Sequence, residues 1–160
     1  MKTIEEGIKV VATNRRAGFD YELGESFEAG IVLNGGEIKS VRAGGMDLRD
    51  AFVQIRRGEA WLLNAYIPTY VRSTGFARAE AETLGERRER KLLLHRKEIR
   101  ELKIGVEQKG FTAIATRAYL KKGRAKIVVA LARGKKHYDK RETIARRDAK
   151  REIDRALKER

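Results

Sequence analysis

Residues 111–132 read FTAIATRAYL-KKGR-AKIVVALA, and this stretch decides the fold. Two apolar runs of strand length, rich in Ile, Val, Ala and Tyr, flank Lys121-Lys122-Gly123-Arg124. The loop holds the residue types of a tight turn and three positive charges. The pattern predicts an antiparallel β-hairpin with a cationic tip.

Working outward, the first half of the chain repeats the theme. Lys9 to Ala12 is a short strand, and Phe19-Asp20-Tyr21-Glu22-Leu23 alternates apolar and polar. Phe27 to Leu33, Ala51 to Ile55 and Trp61 to Ile67 are further strand-length runs. Gly24, Asn34-Gly35-Gly36, Gly44-Gly45 and Arg57-Gly58-Glu59 break them, Arg57-Gly58 reading as a tight hairpin, and Pro68 ends the Trp61 strand. Strands at this spacing predict a mainly β protein built on a small closed antiparallel barrel.

Helices flank the strands. Glu37 to Arg42 is short, with Ile38 and Val41 on one face. Leu92, Ile99, Leu102 and Val106 fall on one helical stripe, and Gly110 is placed for a left-handed cap. Ser73 to Arg90 has Ala, Glu and Arg but few large apolar residues, which reads as a loop or a loosely attached helical insertion.

Length and charge bound the function. The chain has 160 residues, one domain's worth, and 41% of them are hydrophobic, enough for a core. Lys plus Arg number 37 against 23 Asp plus Glu, a net charge of +14. Self-repulsion on so small a body points to a polyanionic partner, with nucleic acid first and an anionic membrane second. There is no Cys, which removes disulfides, thiolate metal sites and thiol catalysis. No run of about 18 apolar residues is present. The opening Met1-Lys2-Thr3-Ile4-Glu5-Glu6 is acidic where an export signal is basic, so a cytoplasmic protein is expected.

The end of the chain differs from the rest. Residues 133–160 hold 12 Lys or Arg and 6 Asp or Glu, with Tyr138 as the one aromatic. Asp139 and Glu142 have capping-box spacing. The apolar stripe is Ile144, Ala149, Ile153, Ala156 and Leu157. At about 1.5–3 kcal/mol per buried large aliphatic, so few residues cannot order a helix of this length alone. A tail disordered when free and helical when docked is expected, so the chain divides into residues 1–132 and 133–160.

Catalytic constellations are weak. His95 and His137 lie on chemically different segments with no nucleophile motif beside them, and no Gly-rich phosphate loop exists. His95 reads as a helix-start or RNA-facing residue, and His137, in a Lys-rich run, as a phosphate or base contact. The chain is therefore expected to have no catalytic residues, no metal and no cofactor. Asn14-Arg15-Arg16 suits phosphate and base-edge contacts, or else is a solvated basic turn. Glu37 sits in the first turn of its helix, where the dipole favours an acid. Alternatively it accepts from bases or ribose while Lys39 and Arg42 hold phosphates. Around Leu92-Leu93-Leu94 the cations Arg90, Lys91, Arg96 and Lys97 form either a solvated face or a phosphate stripe, with the leucines in the core. The run from Arg133 to Arg141 interleaves aromatic with basic residues, a nucleic-acid signature.

Six ordered blocks together resemble the SmpB family of bacterial SsrA-binding proteins. They are Asn14-Arg15-Arg16-Ala17 with Asp20-Tyr21, Phe27 to Ile31, Gly36 to Gly44, Arg90 to His95, Lys122 to Lys126, and Gly134 to Glu142 with Lys150 to Ile153. The resemblance implies an oligonucleotide-binding-type (OB-like) barrel with flanking α-helices. It implies an adaptor that binds the tRNA-like domain of transfer-messenger RNA and takes it to stalled ribosomes for trans-translation. Elongation factor Tu and alanyl-tRNA synthetase would be met through the charged RNA, and the adaptor would be a monomer. By the same resemblance Glu37, Lys39, Lys91, Leu92, Lys135 and Lys136 face RNA. Asp139, Lys140, Arg141, Ile144, Lys150 and Arg151 belong to a tail that enters the decoding site and mRNA channel of the small subunit. The chain departs from the family at Gly18, where a basic residue is usual, at residues 74–89, where an Asp-Pro is replaced, and at Ala149, where Trp is common. The alternatives are a structural ribosomal or rRNA-binding barrel protein, and a nuclease or RNA-modifying enzyme on a barrel.

Overall fold

The computed structural model describes residues 7–70, 75, 79, 85–135 and 137–158, and main chain alone at 137–139. The strands are β1 (Ile8–Thr13), β2 (Tyr21–Ile31), β3 (Phe52–Arg56), β4 (Glu59–Leu63), β5 (Arg90–Leu93), β6 (Thr112–Lys121) and β7 (Arg124–Gly134). The helices are α1 (Arg15–Asp20), α2 (Gly35–Arg42), α3 (Arg96–Glu107) and α4 (His137–Lys158). Strand order is β1-β6-β3-β4-β5-β2-β7, and β7 also pairs with β6. That last pairing closes six antiparallel strands into a barrel and leaves β1 outside it on β6.

The two hairpins read from the sequence form as their turn residues dictate. Lys121 faces Arg124 across Lys122-Gly123, and Arg56 faces Glu59 across Arg57-Gly58. All four turn residues have positive φ, from 50° to 77°, as a two-residue hairpin turn requires. The interior is narrow. Ala29, Ala60 and Ala115 are fully buried beside Leu62, Leu92, Ile127 and Val129, so small side chains let the walls approach. Helix α3 covers the end where β6 begins, burying Leu102 in the main core. It rests closely on β7, since a Cβ at Gly105 would lie 2.6 Å from Leu131 Cδ1. Gly110 follows in the left-handed conformation, φ 69°. Helix α2 covers the opposite end through Val41, Ile67 and Leu120.

Several boundaries differ from the sequence reading. Phe19 and Asp20 lie in α1, not in a strand, and β2 starts at Tyr21. Ala17 explains the change, because it buries against Ile114 and Ala132 only if residues 15–20 coil. Gly24 does not break β2 but sits in a bulge between Leu23 and Ser26, facing the Leu131 carbonyl at a distance a larger residue would crowd. Strand β4 stops at Leu63, ahead of Pro68, because Asn64 turns left-handed at φ 60°. Leu92 leaves the helical stripe for β5, where it faces Ile31 and Ala60, and α3 begins at Arg96.

The tail is helix α4, the conformation the sequence reading expects of it when docked. Local support is visible in the Arg146–Glu142 pair, at 2.6 Å and one turn apart. The apolar stripe is largely exposed: Ile144, Ile153 and Leu157 are 43, 60 and 66% exposed. Most of the Ser73 to Arg90 segment lies outside the described residues, but its end is anchored, as shown below.

Candidate nucleic-acid interface

Helix α2 begins with a reciprocal cap. Asn34 Oδ1 accepts from the Glu37 N–H at 2.8 Å, and the Asn34 N–H donates to Glu37 Oε1 at 3.1 Å. The same carboxylate is gripped by two guanidinium groups. Arg88 donates to both oxygens, and Arg90 Nε donates to Oε2 at 2.5 Å. Arg90 is wholly buried, and its other donors end on the carbonyls of Ala65, Glu86 and Arg88. Burial alone would raise the Glu37 pKa, but Arg88, the Asn34 N–H and Arg90 outweigh it and hold the carboxyl below its ordinary value. Glu37 is thus 9% exposed with its oxygens occupied. The expectation that it reads bases or ribose is corrected: its lone pairs are used inside the protein. Arg90, expected as a surface cation, is a structural one.

The exposed cations of α2 point elsewhere. Lys39 and Arg42 are exposed, and the Arg42 carbonyl accepts from Lys9 Nζ at 3.1 Å. Ile38 and Val41 pack toward Leu120 and Ala125, which flank the hairpin tip. Lys9, Lys39, Arg42, Lys122 and Arg124 therefore share one end of the barrel, a concentration of positive charge fitted to phosphates.

Asn14 is also drawn inside. Its Nδ2 donates to the carbonyls of Leu48 and Ala115, both at 3.0 Å, and its N–H to Thr116 O at 2.8 Å. It ties α1 to the barrel, which corrects the base-edge role expected of it; Arg15 and Arg16 stay exposed. Leu92, 1% exposed, is core and cannot face RNA. Its neighbour Leu93 does reach the surface, at 55%. Lys91 pairs with Glu59 at 3.0 Å, and His95 is exposed at the start of α3, its N–H donating to Glu98.

One feature of the wall escapes the sequence reading. Bulges in β2, between Leu23 and Ser26, and in β6, between Ala115 and Arg117, lie on either side of β7. A groove of about 520 Å³ opens there, lined in part by Ser26, Glu28, Thr116, Arg117 and Tyr119. The Arg117 guanidinium sits 5.2 Å from the Tyr119 ring centroid, and the Tyr119 hydroxyl donates to Glu28. Nothing in the sequence marks Glu28 beyond its place in a strand-length run and a family block. Strand alternation carries no mark of a bulge, and a bulge is what brings these groups together.

The tail is rooted on α1, at the other end of the barrel. The Lys135 N–H donates to Asp20 O, and its Nζ to Gly18 O and Thr143 Oγ1, all at 2.9 Å. Lys140 approaches Asp20 at 3.4 Å, and Arg147 lies 5.8 Å from the Phe19 ring centroid. Beyond this root Arg141, Ile144, Lys150 and Arg151 are exposed. Lys136 and the side chains of His137 and Asp139 fall outside the described residues. Strand β7 spans 11 residues from the hairpin tip to this root. At about 3.3 Å per residue, the two cationic regions stand roughly 30 Å apart. Among the described residues no group of three or more His, Asp or Glu could hold a metal ion, and no helix is long and apolar enough to cross a membrane.

Fold and charge define the class: a small closed antiparallel barrel, basic at one end and extended by a basic helix at the other. Comparison with known proteins makes it specific. The family model described as SmpB protein matches residues 11–159. The chain is 51% identical to the SsrA-binding protein of Shouchella clausii over 152 residues, 95% of this chain and 94% of that one. It is 53% identical to that of Roseiflexus castenholzii, over 95% and 93% of the two chains. It is 49% identical to that of Trichodesmium erythraeum, over 96% of each. Among solved structures it resembles a chain described under "tmRNA-SmpB: a journey to the center of the bacterial ribosome". The TM-score is 0.63 at 42% identity, over 82% of this chain and 86% of that one. The chain belongs to the SmpB family.

Proposed function

We propose that this chain is an RNA-binding adaptor that holds the tRNA-like domain of transfer-messenger RNA and brings it to stalled ribosomes for trans-translation. Family membership over nearly the whole chain, at about half identity to SsrA-binding proteins, carries the reading. The separation of two cationic regions supports it, because an adaptor must hold one polyanion while meeting another. On this reading the barrel of residues 1–132 grips the RNA through the exposed cations Arg15, Arg16, Lys39 and Arg42, with His95 and the half-buried Lys91; Lys135, Lys136 and His137, at the start of the tail, join the same grip. Residues 133–160, with Lys140, Arg141, Lys150 and Arg151 outermost, enter the small subunit. The adaptor works in the cytoplasm and performs no covalent chemistry of its own.

Truncation after Tyr138 separates the two halves of the proposal. Affinity for the tRNA-like RNA is expected to stay within about threefold, because the cationic barrel end is untouched. Peptide tagging on stalled ribosomes is expected to disappear. Loss of RNA affinity on truncation would place the RNA grip in the tail and sink the division. The RNA affinity of the full chain should also fall steeply with salt, by about 0.7–0.9 in log slope per phosphate neutralised.

A further inference from the structure

Resting on the RNA-binding reading above, we infer that Glu37 is a positioning residue. Through Arg88 and Arg90 it locks the start of α2 to β5, and so holds Lys39 and Arg42 where they meet phosphates. Glu37 itself does not touch the RNA. Its carboxylate is already shared among the Asn34 N–H and two guanidinium groups. The clamp also spans three separate segments. Arg90 reaches Ala65 after β4 and Glu86 before β5, while the Glu86 carbonyl accepts from the Ile67 N–H at 3.0 Å and its carboxylate from the Thr69 N–H at 2.9 Å.

Helix α2 needs such a clamp. Eight residues do not form a stable helix alone. Its second half is held by the Val41–Ile67–Leu120 cluster and by Lys9. Its first half has Asn34 and Glu37. Releasing that end frees the cations that follow two and five residues on, and their ordering must then be met at the moment of binding.

The sign of the effect separates positioning from simple electrostatics. Removing a carboxylate from a protein that binds a polyanion should tighten binding by Coulomb attraction. A lost clamp should weaken it. The test measures binding of the full chain to a tRNA-like-domain transcript across salt concentrations. The proteins are the parent, Glu37→Gln, Arg88→Gln, the double variant and Lys39→Gln. Amide exchange of residues 35–42 is followed without RNA. We expect Glu37→Gln to weaken binding about tenfold at an unchanged salt slope, with faster exchange in α2. The double variant should be no more than about twofold worse than the weaker single one, because both break one clamp. Lys39→Gln should instead lower the salt slope by about one phosphate's share.

Unchanged or tighter binding by Glu37→Gln, or exchange in α2 that does not move, overturns the inference. So do effects of Glu37→Gln and Arg88→Gln that multiply, as two independent RNA contacts would. If Glu37→Gln fails to fold, Arg88→Gln carries the test through slope and exchange, since its side chain is 22% exposed and tolerates replacement better. Failure of the parent chain to bind the transcript overturns the RNA-binding reading itself, an outcome distinct from any behaviour of the variants.

Discussion

The clamp at the start of α2 and the helix α4 use the same residues in opposite ways. In the clamp a carboxylate and the Arg90 guanidinium are withdrawn from water, Arg88 is partly so, and each is met by hydrogen bonds. In α4 the charges lie in solvent, and the described contacts are local pairs and a short root on α1. Desolvation makes the difference. A buried charge with every donor met orients the segments around it, and losing one partner leaves the other stranded. An exposed charge costs little to move, which leaves it available to a partner. The barrel thus has a rigid cationic end and the tail a permissive one.

The comparison breaks most readily at Arg90. Arg90→Met should cost about 3–5 kcal/mol of stability in urea unfolding, because Glu37 and three carbonyls lose their buried donor. A loss below about 1 kcal/mol would mean the site is wetter than its zero exposure implies.

Acid sharpens the same contrast. The folded pKa of Glu37 lies below its ordinary 4.5, so the clamp stabilises the fold in full above that value and loses this contribution as pH falls through the depressed folded pKa. The stability gap between the parent and Glu37→Gln should be constant from pH 7 to about 5 and close in stronger acid. Unfolding midpoints of the two proteins across pH measure it, and a gap that persists at pH 2 would remove the carboxylate from the account.

Smaller effects belong to the tail. Phe19→Ala removes the ring under Arg147 and should speed amide exchange in the first turns of α4, at a cost of about 0.5–1 kcal/mol to the local helix. Ile153→Ala and Leu157→Ala should each change global stability by less than about 0.5 kcal/mol, because their side chains are mostly exposed. A larger loss would reveal packing along the stripe.

Much of the architecture was legible in advance, and the reasons are local. Gly58 and Gly123 mark two-residue turns, and the apolar runs beside them pair in register with no other choice. Gly110 announced the end of α3. Helix α1 and strand β5 were not legible. Six residues are too few for a helical period to show. Leu92 sits seven places before Ile99 by coincidence, and a four-residue strand is too short to display alternation. Among the site residues Lys39, Arg42, Arg15 and Arg16 stand exposed, and Leu92 lies in the core where its apolar run put it and not on the RNA face the family resemblance implies. The burial of Asn14 and Glu37 was not legible, because residue type tells what a side chain can bond and not which neighbour reaches it first.

From the letters alone come the net positive charge, the hairpins, the absence of thiol chemistry and the membership of a family, since each depends on composition, short spacing or ordered blocks. The tertiary structure decided which charges are for partners and which are for the protein itself. Arg88 and Arg90 lie 51 and 53 residues beyond Glu37 in the chain, and only the closure of the barrel brings the three within bonding distance and buries Glu37 and Arg90.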